Sequence, residues 1–148
     1  MLVPAIFLLL AASPPADAAI PIEAADLALA YLLNDGGDAR GYVYCIKIAG
    51  NDAPAETLNK LRRPDRIVVV GSECKWVPDR HSKGSYHISS RKPAYIVEVT
   101  HPRWTSATSL LLDVEAMHQD LWGAGCTLKL EFVDGHWKVE GEEHGWVA

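Results

Sequence analysis

Apolar and polar positions change their period near Pro93, which splits the chain into a mixed front part and an extended back part. In the front part, Pro21 to Leu33 carries a stripe of Ile22, Ala25, Leu29, Leu32 and Leu33. Proline lies near the first turn and the acids come early, so the spacing predicts a helix. Asn34-Asp35-Gly36-Gly37 follows as its stop. Tyr42 to Ala49 is β-branched and aromatic and predicts a strand. Gly50-Asn51-Asp52 ends it ahead of a short helix over Ala53 to Arg63, with Asp52 as N-cap and Pro64 as stop. Arg66 to Gly71 is a continuous apolar run, the pattern of a strand covered on both faces. From Cys74 to Pro93 the chain turns polar, basic and rich in Ser and Gly, and Pro78 to Lys92 reads as the longest surface loop.

Behind Pro93 the period is two. Tyr95, Val97 and Val99 alternate with Glu98 and Thr100, and Leu110, Leu112, Val114 and Ala116 alternate with Ser109, Asp113 and Glu115. Leu110 to Met117 also fits a helix. Cys126, Leu128, Leu130 and Phe132 alternate with Thr127, Lys129 and Glu131, and Asp134-Gly135 then turns the chain into His136-Trp137-Lys138-Val139. A period-two run ending in Asp-Gly is a strong hairpin signal. Trp137 and Val139 should face inward, with Lys138 and Glu140 in water. Trp146 has the opposite parity from Trp137, which calls for a bulge near Gly141 or Gly145. The whole pattern predicts an α+β domain over 19–148, with N-terminal helices packed on one curved antiparallel sheet.

Leu2 to Ala12 is almost wholly apolar, with Ser13-Pro14-Pro15 and Ala16-Asp17-Ala18 behind it, the pattern of an export signal at residues 1–18 cleaved after Ala18. No Lys or Arg precedes the run. It has about half of the roughly 20 residues that span a bilayer, and no later run is long enough, so no stable membrane anchor is expected. These features predict a secreted or periplasmic product. Without residues 1–18 the chain keeps 14 Lys and Arg against 18 Asp and Glu. Ten basic and four acidic residues lie between Lys60 and Arg103, whereas Trp104 to Ala148 holds two and eight. So short a basic stretch in an acidic exported chain speaks against a nucleic-acid partner. An oxidising compartment favours one disulfide among Cys45, Cys74 and Cys126. Cys45 with Cys74 is the preferred pair, since each lies in or beside a strand-like run while Cys126 sits at an apolar strand position. The other two pairings stay open on sequence alone.

Leu121-Trp122-Gly123-Ala124-Gly125, the strand to Phe132, Asp134-Gly135-x-Trp137 and the closing Gly145-Trp146-Val147-Ala148 resemble small exported bacterial proteins whose chains end in G-x-G, strand, G-x-W, strand and W-[VI]-[SA]. In outline these are similar to the cystatin-like and NTF2-like α+β class, in which a helix packs into a cupped antiparallel sheet. The resemblance covers mainly Ala94 to Ala148. It implies a hollow in the cup, brings no catalytic motif, and puts an aromatic residue near the place of Cys126.

Histidines 81, 87, 101, 118, 136 and 144 show no His-x-x-x-His or His-Glu-x-x-His spacing, so no metal site is expected. Gly71-Ser72-Glu73-Cys74 lacks the nucleophile pattern Gly-x-Ser-x-Gly. Gly123-Ala124-Gly125 leads into a strand, so no phosphate-binding helix start follows and no cofactor is expected. His101 continues the inward parity of Tyr95, Val97 and Val99 and is the one candidate for a general base. Asp113 and Glu115 share the polar face of their strand. Trp137 and Trp146 read as core, whereas Trp76, Trp104 and Trp122 sit beside turns, where an indole can anchor a partner. Two functions follow. The first is a non-enzymatic binding or interaction module, with Trp76, Arg80, Lys83, Arg91, Lys92 and Trp104 facing an envelope or extracellular protein. The alternative is a small NTF2-like pocket enzyme, which requires His101 in a closed cavity beside a second polar group.

Overall fold

The computed structural model describes residues 19–35 and 41–148. The expected leader, Met1 to Ala18, lies outside them, as do Gly36 and Gly37 of the expected helix stop. The elements in chain order are α1 (Ile22–Asp35), β1 (Val43–Ile48), β2 (Asn51–Asp52), α2 (Ala55–Leu61) and β3 (Ile67–Val70). A 3-10 turn (Gly71–Glu73), β4 (Cys74–Lys75) and β5 (Tyr86–His87) follow. The chain then runs through β6 (Ala94–Ser106), β7 (Ser109–Gln119), β8 (Trp122–Val133) and β9 (His136–Val147). The order α, β, α, then four long strands makes this an α+β fold.

The four long strands form an antiparallel meander, β6-β7-β8-β9. Ser109 to Gln119 is a strand, so the helical alternative for Leu110 to Met117 is set aside. The sheet is mixed, which corrects the purely antiparallel expectation. β1 pairs in parallel with β6 on one side and β3 on the other. Between β1 and β3, α2 carries the chain over to restart in the same direction, as parallel neighbours require. Period-two patterning reports which face a residue takes but not which way its strand runs.

Inward residues of the meander and one face of α1 make the main core. Val97, Val99, Leu110, Leu112, Leu128 and Leu130 are completely buried against Ala24, Ala28 and Leu29. Burial of each such leucine or valine stabilises the fold by about 1.5 to 3 kcal/mol. The helix face differs from the expected stripe, since Ile22 is 48% exposed and Ala24, Ala25 and Ala28 are fully buried. Alanine weighs little in a hydrophobic pattern, yet its small side chain permits close helix-to-sheet approach. Asp26 of α1 is buried and accepts hydrogen bonds from Thr57 Oγ1 (2.6 Å) and Lys60 Nζ (2.8 Å), tying α2 to α1.

Two local expectations change. α2 begins after Pro54 without a side-chain cap, and Asp52 turns instead to the 3-10 turn, where its carboxylate accepts from Ser72 N and Ser72 Oγ. Those two bonds outweigh burial and hold the Asp52 carboxyl below its ordinary range. Cys45 and Cys74 form the disulfide, with Cα atoms 6.3 Å apart, and Cys126 is buried outside it.

β9 breaks register with β8 twice, opposite Lys129/Leu130 and again opposite Gly125/Thr127. The breaks bracket Gly141 and Gly145, where Trp146's parity called for a bulge. The second undoes the first, so Trp146 pairs with Gly125 on the outer face and is 39% exposed rather than core. β9 is also a sheet edge. Its irregularities and its charged residues Lys138, Glu140, Glu142 and Glu143 are the features by which natural edges resist pairing with other chains.

Candidate functional site

Parallel register sets Tyr44 beside Tyr95, and their rings stack with centroids 5.9 Å apart. Tyr42 lies 4.9 Å from Tyr95 and 5.3 Å from His118, and His118 meets the Trp122 indole edge-on at 5.2 Å. Tyr44, Tyr95 and Trp122 wall a pocket of about 230 Å³ at the end of α1, closed on the other side by Leu32, Leu33 and Val147. Burial raises the Tyr95 phenol above its ordinary value, against the hydrogen bond it shares with Trp122. A neighbouring groove of about 550 Å³ shares Leu32, Ala124 and Val147 with this pocket and reaches Tyr31, whose hydroxyl donates to Glu142 at 2.6 Å. Trp122 (46%), Leu121 (59%) and Val147 (87%) leave an apolar rim in water.

The basic segment is docked on this cluster through His118. The imidazole is 3% exposed, with Nδ1 2.8 Å from Ala94 O and Nε2 3.1 Å from Lys83 O. Gly84 lies directly beneath it at φ +80°, and a Cβ there would come within 2.3 Å of Nε2, so both conformation and space demand glycine. Ser85, fully buried, donates its N–H to His118 O and receives the N–H groups of Ala94 on its carbonyl and of Val77 on its Oγ. Asp120 N–H closes the contact on Pro78 O at 3.0 Å. The stretch read as one long loop therefore includes β5, paired with β4 beside the disulfide, and is anchored at both ends and in the middle.

Trp76 is 40% exposed, and Arg80, Lys83, Arg91 and Lys92 are exposed on the same segment. Arg91 sits over the Tyr86 ring at 5.1 Å. Trp104 does not join them. It pairs with Leu110 near the β6–β7 turn and packs half-buried on Trp137 at 5.6 Å, about 30 Å along β6 from Ala94 at the rise of an extended strand.

His101 leaves the inward parity. Two residues of β6, His101 and Pro102, oppose the single Leu112 between Thr100 and Arg103. At this bulge His101 takes φ 51°, and its side chain, 73% exposed, turns outward to Asp113 Oδ2 at 3.3 Å. Asp113 is further held by Arg103, at 2.8 and 3.2 Å, and by the Thr127 hydroxyl at 2.7 Å. Burial pushes the Asp113 carboxyl up, but the hydrogen bonds from Arg103 and Thr127 and the charge around it outweigh that and hold it below its ordinary value. Burial and the facing carboxylate of Glu98 push Glu115 the other way. His101 is thus 73% exposed at the edge of a pocket of about 200 Å³ that is half open to solvent.

Tyr42, Tyr44, Tyr95 and His118 escaped the sequence reading as site residues. Tyr44 and Tyr95 come together only through the β1–β6 register, and His118 was one histidine among six with no spacing to mark it. Comparison with family models, with curated proteins and with solved structures returns no match to this chain.

Proposed function

We propose that this chain is an exported, non-enzymatic binding module of the cystatin-like or NTF2-like outline. The packing of α1 across β6–β9 supports that outline, and the Cys45–Cys74 bond suits an oxidising compartment outside the cytoplasm. No helix among the described residues is long and apolar enough to cross a membrane.

One observation carries the functional reading. His118 packs on Tyr42 and on Tyr95 and Trp122 of the aromatic pocket and also bonds to Lys83 O of the basic segment that bears Trp76, which supports reading the two as one surface. Half-exposed indoles are the side chains that most often anchor protein interfaces, and exposed Lys and Arg around them steer an acidic partner. The partner this surface fits is an envelope or extracellular protein that presents an apolar side chain flanked by acids.

The test is crosslinking in envelope extracts with wild type, with Trp76→Ala/Trp122→Ala, and with Arg80, Lys83, Arg91 and Lys92 all changed to Ala. The same partner should be captured by wild type, be lost from the tryptophan variant, and bind the basic-residue variant with a weaker salt dependence. No partner, or one captured equally by all three, would refute the reading.

A further inference from the structure

Five described residues other than glycine have positive φ: Ala49, Arg91, His101, Asp134 and His144. Three belong to tight turns. Ala49 and Asp134 precede Gly50 and Gly135 between paired strands, and Arg91 donates its N–H to His87 O in the turn after β5. His101 and His144 have no such excuse. They lie inside the long strands β6 and β9, each at a register break, in a conformation that costs free energy which glycine would not incur.

Both residues line one pocket. It measures about 200 Å³ and lies on the outer face of the meander, its lining including His101, Asp113, Glu115, Thr127, His144 and Trp146. Bulges in two separate strands thus bring two histidines to one pocket, a recurrent use of bulges next to functional sites. The Trp146 indole forms one wall. It lies over Gly125, where a Cβ would come within 2.8 Å of the ring, so glycine makes room for it.

The chemistry of the wall selects a ligand class. No group of three or more His, Cys, Asp or Glu that could hold a metal ion occurs among the described residues. The carboxylates of Glu115 and Glu98, directly opposite each other across β6 and β7, disfavour an anion. Asp113 is already matched by Arg103. With Thr100 Oγ1 at 2.9 Å and Asp113 both on Nδ1, His101 keeps Nε2 free, and the His144 imidazole has no hydrogen-bond partner among the described residues. Hydroxyls and imidazoles both donate and accept, as do the hydroxyls of a sugar, and a flat indole suits the C–H face of a sugar ring. We propose that this outer-face pocket binds a saccharide unit, with Trp146 as platform and His101, His144 and Asp113 as hydrogen-bonding partners. This site is separate from the aromatic pocket and the basic segment.

The test is a titration of the full exported chain, followed at the Trp146 indole N–H and the Gly125 amide by NMR, with the methyl glycosides of glucose, galactose and N-acetylglucosamine. Saturable shifts at both reporters are expected with at least one sugar, and none at the Gly125 amide in Trp146→Ala. His101→Gly and His144→Gly keep the backbone conformation while removing the imidazole. Each should weaken binding by about tenfold, the factor typical of a lost polar anchor, with a melting temperature equal to or above wild type. The proposal is overturned if no sugar gives a saturable shift, if binding persists undiminished in the two glycine variants, or if n-butylammonium saturates the pocket where the sugars do not.

Discussion

Removing the Cys45–Cys74 bond is expected to lower stability by about 3 to 4 kcal/mol, because it closes a loop of this length in the chain-entropy model. The separation is 29 residues, and the loop contains β2, α2 and β3, which have little core of their own beyond Leu58, Leu61 and Val68. Cys45 is fully buried at the centre of β1, beside Val69 and Ile96. A Cys45→Ala/Cys74→Ala pair is the clean comparison, since it leaves no thiol or hydroxyl in that place. A melting temperature lower by about 10 to 15 °C is the corresponding readout for a domain of this size. Calorimetry of the double variant against wild type measures it. A loss below about 1 kcal/mol would mean that the unfolded chain is already compact across this loop.

Leu112→Ala should cost about 3 to 4 kcal/mol, the usual range for a buried leucine whose cavity cannot fully collapse. Leu112 is completely buried on β7, with Leu128 opposite it on β8 and α1 packed on the same core. Leu111, its neighbour, faces the other side in the row of Arg103 and Lys129 and is only partly buried. Leu111→Ala should therefore cost about 1 kcal/mol or less, as substitutions outside the core do. Urea titration of both variants gives the contrast. Equal losses would show that parity along β7 does not divide core from surface.

Side-chain alternation made the back half of the chain readable. Val97, Val99, Leu110, Leu112, Val114, Leu128, Leu130 and Trp137 are buried where period two puts them, and Asp134-Gly135 forms the turn between β8 and β9. The disulfide was legible for a similar reason, since both cysteines border strand-like runs. What patterning could not reach were the places where a strand breaks step. His101 moved to the outer face because one bulge inserts a residue into the count, whereas Trp146 stays on the outer face because two bulges in β9 cancel where a single one would have turned it inward. The aromatic pocket was hidden differently. Its walls come from β1, β6 and β8, which meet through a parallel pairing that no local spacing reveals. The basic segment was visible as composition, but its order depends on Gly84, Ser85 and His118, three residues unremarkable in the sequence.

The binding reading rests on that order, because a segment that held no fixed shape would not form one surface with Trp122. Amide hydrogen exchange at Ser85 and Asp120, whose N–H groups are bonded to His118 O and Pro78 O, tests it most directly. Exchange as slow as that of the β7 amides is predicted. Exchange at the rate of an open peptide at both positions, with β7 still protected, would contradict the account.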